Sequence, residues 1–346
     1  MATVSFLIPA RNEEFLVKTI QDILEHTSEE SEILVGLDGY WPNPPIEDHP
    51  RVKIFHVTEP IGQRAMTNKL AALSKARYLC KVDAHCAFDQ DFDKKMIEFF
   101  NEVGHDIVAV PVMRNLHAFD WVCPDGHKRY QGPSGACKEC GKETTKEIKW
   151  IGKTNPQSFS YCFDSEPHFQ YYKEYTRRPE FKKELGYNET MSLQGSFFMS
   201  TRHNYWKLNL GDENFGSWGS QGIQVAVSTW LSGRRVLVNH KTWYAHLFRT
   251  QGGDFGFPYR LSDKQVQRAK QYAKKMLYEN KWPKQIYPSS WLLEKFWPVP
   301  GWTQEQLNDL KLIGSKFVSS AVPVSSPDGI TGLTHSTVLA EVSGRE

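Results

Sequence analysis

No apolar run in this 346-residue chain approaches the roughly 18 residues of a membrane-spanning helix. The opening stretch, Met1 to Ala10, is too short for a secretory leader and already reads as a strand. Both absences predict a soluble, cytoplasmic protein. An excess of one charge is missing too: the formal net charge is +2, which by itself points to no strongly electrostatic partner. No internal repeat is visible. Cysteine is scarce and unevenly spread, with six in all: Cys80, Cys86, Cys123, Cys137, Cys140 and Cys162. Three of them crowd into one segment beside His127, which fits metal binding in a reducing compartment better than a disulfide framework.

What is present is an alternation of strands and helices. Val4 to Ile8 reads as a strand ending at Pro9, and the polar loop Ala10-Arg11-Asn12-Glu13 leads into apolar residues at helical spacing, Phe15 to Leu24. Glu32 to Leu37 is a second strand closed by Asp38-Gly39, and Val52 to Val57 is a third. Gln63 to Lys75 carries Met66, Leu70 and Leu73 on one helical face and precedes the apolar run Ala76 to Cys80. This pattern over the first ~110 residues predicts a mostly parallel, Rossmann-like α/β sheet whose strand ends gather Arg11, Asp38 and Asp83.

Two stretches carry chemistry. In Lys81-Val82-Asp83-Ala84-His85, residues two apart on a strand face one way, so Asp83 and His85 can share a metal ion. A capping Asp83 and a core His85 are the competing reading, and the stretch alone favours it. From Asn115 to about Trp150 the apolar period disappears, and Cys123, His127, Cys137 and Cys140 follow the pattern C-x3-H-x9-C-x2-C. Four soft or borderline ligands in a segment too small for a core predict a structural Zn2+ that holds residues 114–150 together. A zinc that itself performs catalysis is disfavoured, because four protein ligands leave no open position.

Further on, Ser192 to Met199 reads as a strand with Gly195 where something approaches closely. A glycine-dense loop, 211–222, precedes a helix with Ile223, Val227, Trp230 and Leu231 on one face. Arg235 to Val238 and Thr242 to Leu247 read as two short strands. Leu261 to Tyr278 is a basic amphipathic helix, Trp282 to Trp302 a Trp/Pro-rich wrap, and 319–346 a polar, flexible tail.

Together these pieces resemble a GT-A glycosyltransferase, similar to the catalytic domain of the polypeptide N-acetylgalactosaminyltransferases. The likeness runs through Pro9-Ala10-Arg11-Asn12-Glu13, Val82-Asp83-Ala84-His85-Cys86, Gln194-Gly195-Ser196-Phe197, Ser217-Trp218-Gly219-Ser220-Gln221-Gly222 with Trp230, and His246-Leu247-Phe248-Arg249. It implies a GT-A domain over 1–255, a C-terminal extension over 256–318, and transfer from a UDP-sugar of the UDP-GalNAc, UDP-GlcNAc or UDP-Glc class. It further implies a Mn2+ site made of Asp83, His85 and His246, a set of oxygen and nitrogen ligands suited to Mn2+. Arg249 would meet the diphosphate, and Arg11, Asp38 and Arg64 the nucleoside. Pro9, Asn12, Glu13, Ala84, Gly195 and Trp218 would complete the donor site.

Two positions depart from the family. Its Glu after Trp-Gly-Gly is Gln221 here and its Asn is Gly222. Gln221 therefore stands at the catalytic position beside donor sugar and acceptor without a carboxylate, which favours a retaining course over an inverting one. Asp212 and Glu213 are close in sequence but precede the site. No segment resembles the family's lectin domain or a membrane anchor, which argues against a secretory enzyme acting on mucin-like proteins. The zinc-binding insertion and the aromatic, basic stretch 163–178 predict a macromolecular acceptor, with a hydroxymethylated base in phage DNA as the leading candidate. Protein Ser/Thr or a glycan is the alternative acceptor, and a non-catalytic binding protein on the same fold is the alternative class. The sequence leaves the oligomeric state open.

Overall fold

A computed structural model describes residues 2–250 and 254–317. The tail expected over 319–346 lies outside the described residues. Chain order begins β1 (Val4–Ala10), α1 (Leu16–His26), β2 (Ser31–Asp38), β3 (Val52–Val57), α2 (Gln63–Leu73), β4 (Tyr78–Val82), β5 (Cys86–Phe88), α3 (Phe92–Val103) and β6 (Ile107–Val122). It continues with β7 (Lys128–Tyr130), β8 (Thr145–Ser158), β9 (Tyr161–Phe163), β10 (Phe169–Tyr171), β11 (Tyr187–Glu189), β12 (Phe197–Thr201), α4 (Arg202–Lys207), α5 (Gln221–Leu231) and β13 (Arg235–His246). Three helices close it: α6 (Asp263–Glu279), α7 (Ser289–Lys295) and α8 (Gln304–Gly314).

The main sheet runs β11-β13-β6-β12-β4-β1-β2-β3. Its β4-β1-β2-β3 half is parallel, as the alternation predicts. Strand β12 enters antiparallel to both β4 and β6, so the sheet as a whole is mixed. Strands β1, β2 and β4 are apolar and buried almost throughout, because helices cover both of their faces. Polar side chains can then emerge only at the strand ends, which is where the site forms.

Three sequence expectations need correction. Residues 115–150 are not an irregular insertion: β6 continues for 16 residues to Val122, and β7 and β8 pair with it as an antiparallel arm. The period was hidden because this arm is two-sided and polar outside. The two strands read at 235–247 are one strand, β13, with a register shift between Asn239 and Trp243. Helix α5 is buried on all sides rather than on one face, lying between the sheet and the C-terminal helices. Those helices join the main core through Met276, Leu293, Phe296 and Leu310, and Trp230 packs on Trp291 and Phe296.

Candidate active site

The site begins with register. Antiparallel pairing of β5 with β13 sets His246 opposite Cys86, and the Leu247 N–H donates to the His85 carbonyl at 3.1 Å. A residue late in the chain is thereby delivered beside the end of β4. Asp83, His85 and His246 offer ligand atoms that all lie within 4.8 Å of one another. Asp83 Oδ2 is 3.4 Å from His246 Nε2 and 3.8 Å from His85 Nε2.

Every other contact of these groups turns the same atoms inward. Asp83 Oδ1 accepts from Lys81 Nζ and, at 3.1 Å, from Gln63 Nε2, which leaves Oδ2 for the histidines. Lys81 is fully buried and also donates to the Gly195 carbonyl at 2.7 Å. Burial opposes ionisation of Asp83, yet the Lys81 ammonium and the two imidazoles outweigh it and hold the carboxyl far below its ordinary range. His85 Nδ1 lies 3.3 Å from Glu13 Oε2, the carboxylate–histidine arrangement that orients a metal-binding ring. His246 is buried, and neither ring nitrogen has a hydrogen-bond partner. Burial pulls its pKa down to about 4, so the ring is the neutral form that ligates metals. An orphaned neutral imidazole aimed at an ionised carboxylate fits a divalent cation.

These residues form the floor of a cavity of about 370 Å³. Pro9, Arg11, Glu13, Asp38, Ala84, Trp218, Phe248, Arg249 and Tyr259 are among its walls, so most of the residues expected at the donor site come together. Arg249 is held by Glu13 and donates to the Gly256 carbonyl at 2.7 Å, while Arg11 lies 4.4 Å over the Tyr259 ring. Asp38 reaches the cavity but spends its oxygens on the Ile61 and Gly62 N–H groups, fixing the turn into α2. Three expected donor contacts fall elsewhere, and one of them, Gly195, lines the neighbouring cavity. Asn12 is not in the lining. Arg64 is fully buried and donates to the Gly216 and Gly219 carbonyls, so it anchors the 216–219 loop behind the cavity instead of lining the nucleoside pocket.

A second cavity of about 380 Å³ adjoins the first through Gln63, Asp83, Gln194 and Trp218. Gln221 and Gly195 line it, with Phe169, His168 and Lys270. The Gln221 amide is buried with neither nitrogen nor oxygen paired. Gly222 is dictated by space: a Cβ there would stand 1.9 Å from the Leu193 carbonyl oxygen. The close approach expected at Gly195 is to this same backbone, with the Gly222 nitrogen 3.2 Å from where its Cβ would be. Asp212 caps the turn at Glu213–Phe215 and Glu213 accepts from Asn68, so neither reaches the two cavities. Lys81 and Gln63 were missed at the sequence level. The alternation that pairs Asp83 with His85 includes Lys81 as well and could have found it; nothing marks Gln63.

Away from this site, Cys123, His127, Cys137 and Cys140 gather at the tip of the β6–β8 arm. His127 Nδ1 is 3.6 Å from Cys123 Sγ and 3.7 Å from Cys137 Sγ, and the Cys123 and Cys140 sulfurs are 3.6 Å apart. Zn–S and Zn–N bonds of about 2.3 and 2.05 Å in a tetrahedron give edges of about 3.8 and 3.6 Å. The N–H groups of Cys140 and Glu139 draw the Cys137 thiol down to about 6, toward the thiolate a metal needs.

Residues 5–136 match the family model described as Glycosyl transferase family 2. A crystal structure of GalNAc-T7 with UDP, GalNAc and Mn2+ superposes with a TM-score of 0.58 at 16% identity. The chain has the GT-A fold. The superposition covers 90% of this chain and 55% of that one. No curated protein matches the chain. The matched stretch ends inside the arm, so it includes Asp83 and His85 while His246 lies beyond it. No described helix is long and apolar enough to cross a membrane.

Proposed function

We propose that this protein is a metal-dependent glycosyltransferase that moves a sugar from a UDP-sugar to an acceptor hydroxyl with retention. The observation that carries this reading is the convergence of Asp83 Oδ2 with the His85 and His246 imidazoles on the floor of a cavity walled by Arg11 and Arg249. GalNAc-T7, whose fold is similar, has been crystallised with UDP and Mn2+. Asp83, His85 and His246 would hold the divalent cation, and a bound cation would supply charge stabilisation for the departing diphosphate. Glu13 fixes the His85 ring, Lys81 and Gln63 fix the carboxylate, and the cavity lined by Arg11 and Asp38 takes the nucleoside.

Retention is supported by the second cavity, whose lining holds, among the described residues, no carboxylate other than Asp83, and Asp83 is already engaged by Lys81. An inverting reaction lacks its base there. The unpaired Gln221 amide faces this cavity and suits a sugar hydroxyl or acetamido group. We assign the Cys123, His127, Cys137 and Cys140 cluster to a structural zinc. A hydroxymethylated DNA base as acceptor draws less from the arm than the composition suggested, since Lys128, Lys142, Lys146 and Lys149 are each paired with a carboxylate.

The test is Mn2+-dependent turnover of a panel of UDP-sugars, with hydroxymethylated DNA, peptide and glycan acceptors and an Asp83→Ala control. Absence of metal-dependent turnover with every donor would defeat the enzyme reading. A product of inverted anomeric configuration would defeat retention alone.

A further inference from the structure

We propose that the zinc-stapled arm is a clamp that holds two walls of the donor cavity in place. This rests on the zinc assignment made above. The four ligands sit just beyond the last rungs of the arm, where Val122 pairs with both Thr145 and Lys128 and Trp121 pairs with Lys146. A narrow antiparallel ribbon of this kind is marginal in water by itself, and β7 contributes only 3 residues. Closure of the tip by a metal is what fixes the register inboard of it.

Inboard lies a small apolar cluster separate from the main core. Phe119 and Trp121 from β6 join Phe15, which follows the Arg11–Glu13 loop, and Phe255, which follows Arg249. The ring centroids of Phe15 lie 6.2 Å from Phe119, 5.5 Å from Trp150 and 5.4 Å from Phe255. Lys146 Nζ lies 4.7 Å over Phe119 and pairs with Glu14 at 2.5 Å. The far side of Phe255 meets the donor site directly: its ring is 5.0 Å from that of His85, and the Arg249 guanidinium lies 4.4 Å over it.

The segments that carry Glu13 and Arg249 therefore lean on the arm through Phe15, Leu247 and Phe255, besides their ties to the main core through Leu16 and Phe248. If the arm frays, Phe119 and Trp121 withdraw and the Glu13–His85 and Glu13–Arg249 contacts lose their backing. The parallel sheet keeps its own core, so the loss is local.

The full chain is used for the test. Zinc content is measured in the purified protein and in a Cys137→Ser/Cys140→Ser variant. Hydrogen exchange is then followed at the amides of Glu13–Phe15 and Leu247–Arg249, and UDP affinity is measured with Mn2+ at saturation. The expected result is one zinc per chain, lost in the variant. Exchange in both segments should become at least about tenfold faster while β1 and β4 are unchanged, and UDP binding should weaken about tenfold. Zinc lost with exchange unchanged overturns the clamp and leaves the zinc assignment standing. A protein that never holds zinc overturns both. Should the double variant unfold, Phe119→Ala, which keeps the ligands, decides: unchanged exchange in the two segments overturns the clamp.

Discussion

The molecule carries two clusters that can hold metal, and they are built by opposite rules. Cys123, His127, Cys137 and Cys140 lie close in sequence, offer sulfur-rich ligands, and complete a tetrahedron with four protein atoms. Asp83, His85 and His246 come from two distant strands, offer one oxygen and two nitrogens, and stop at three, beside open space. A closed site spends its whole coordination shell on the chain and can only staple. An open site keeps positions free for substrate. The surroundings differ too: the open cluster is framed by the side chains of Lys81, Gln63 and Glu13, whereas the closed one has backbone N–H groups on Cys137, Asp125 beside Cys140, and His127 Nε2 near Glu139 at 3.4 Å.

The comparison breaks most sharply if the clusters are cut in turn. Asp83→Ala should lower kcat about 10³-fold or more, equivalent to roughly 4 kcal/mol of lost charge stabilisation, with the circular dichroism spectrum unchanged. Transfer assays at saturating Mn2+ check this, and an active Asp83→Ala enzyme would mean that the open cluster is not catalytic. Next in size is Lys81→Met, which strips a buried cation from Asp83 and leaves the Gly195 carbonyl unpaired. A cost of about 3 kcal/mol in urea unfolding is expected, and Mn2+ should restore more stability to the variant than to the wild type, because the ion replaces the missing charge. Equal Mn2+ effects would show that Lys81 and the metal site are independent.

Gly222→Ala tests the lining of the second cavity. Overlap with the Leu193 carbonyl should cost about 2 kcal/mol and shift the Gln221 amide, seen as a raised acceptor KM. The smallest effect supplies the pH baseline. His240 is packed against Phe159 and Phe181, and burial, with Lys183 nearby, lowers its pKa from 6.5 to about 4. Between these values the unfolded chain takes up a proton that the folded chain refuses, so stability falls as pH drops from 6.5 toward 4. His240→Gln should reduce the slope in that part of a Tm–pH curve without abolishing it, because His246 is lowered over the same range. An unchanged slope would show that His240 does not contribute.

How far this was legible in the residues follows from the physics of each part. The parallel half of the sheet shows itself because strands buried on both faces must be apolar runs. The cluster of Cys123, His127, Cys137 and Cys140 shows itself because its four members lie close in sequence. Asp83 and His85 alone are ambiguous, and only the family likeness tied them to His246, since strand pairing between β5 and β13 has no signature in either strand. Arg64 misled for a related reason. On a helix of alternating polarity an arginine reads as a surface charge or a ligand contact, and here it is swallowed by a loop whose glycines expose two carbonyls to it. The arm was misread because most of its outward residues are polar while Ile148 and Ile151 stand among them as exposed apolar side chains, which blurs the strand alternation.

Strand β6 deserves to be viewed as a single beam. Its first half lies between β13 and β12, its middle places Asn115 opposite His246, and its last residues carry the stapled tip. A cut at residue 114, where the sequence suggests an insertion begins, would sever the rung that supports the third member of the open cluster. Anyone grafting the arm onto another scaffold, or trimming it from this one, must therefore place the joint after Leu116: the part that resembles an attachment is continuous with the frame.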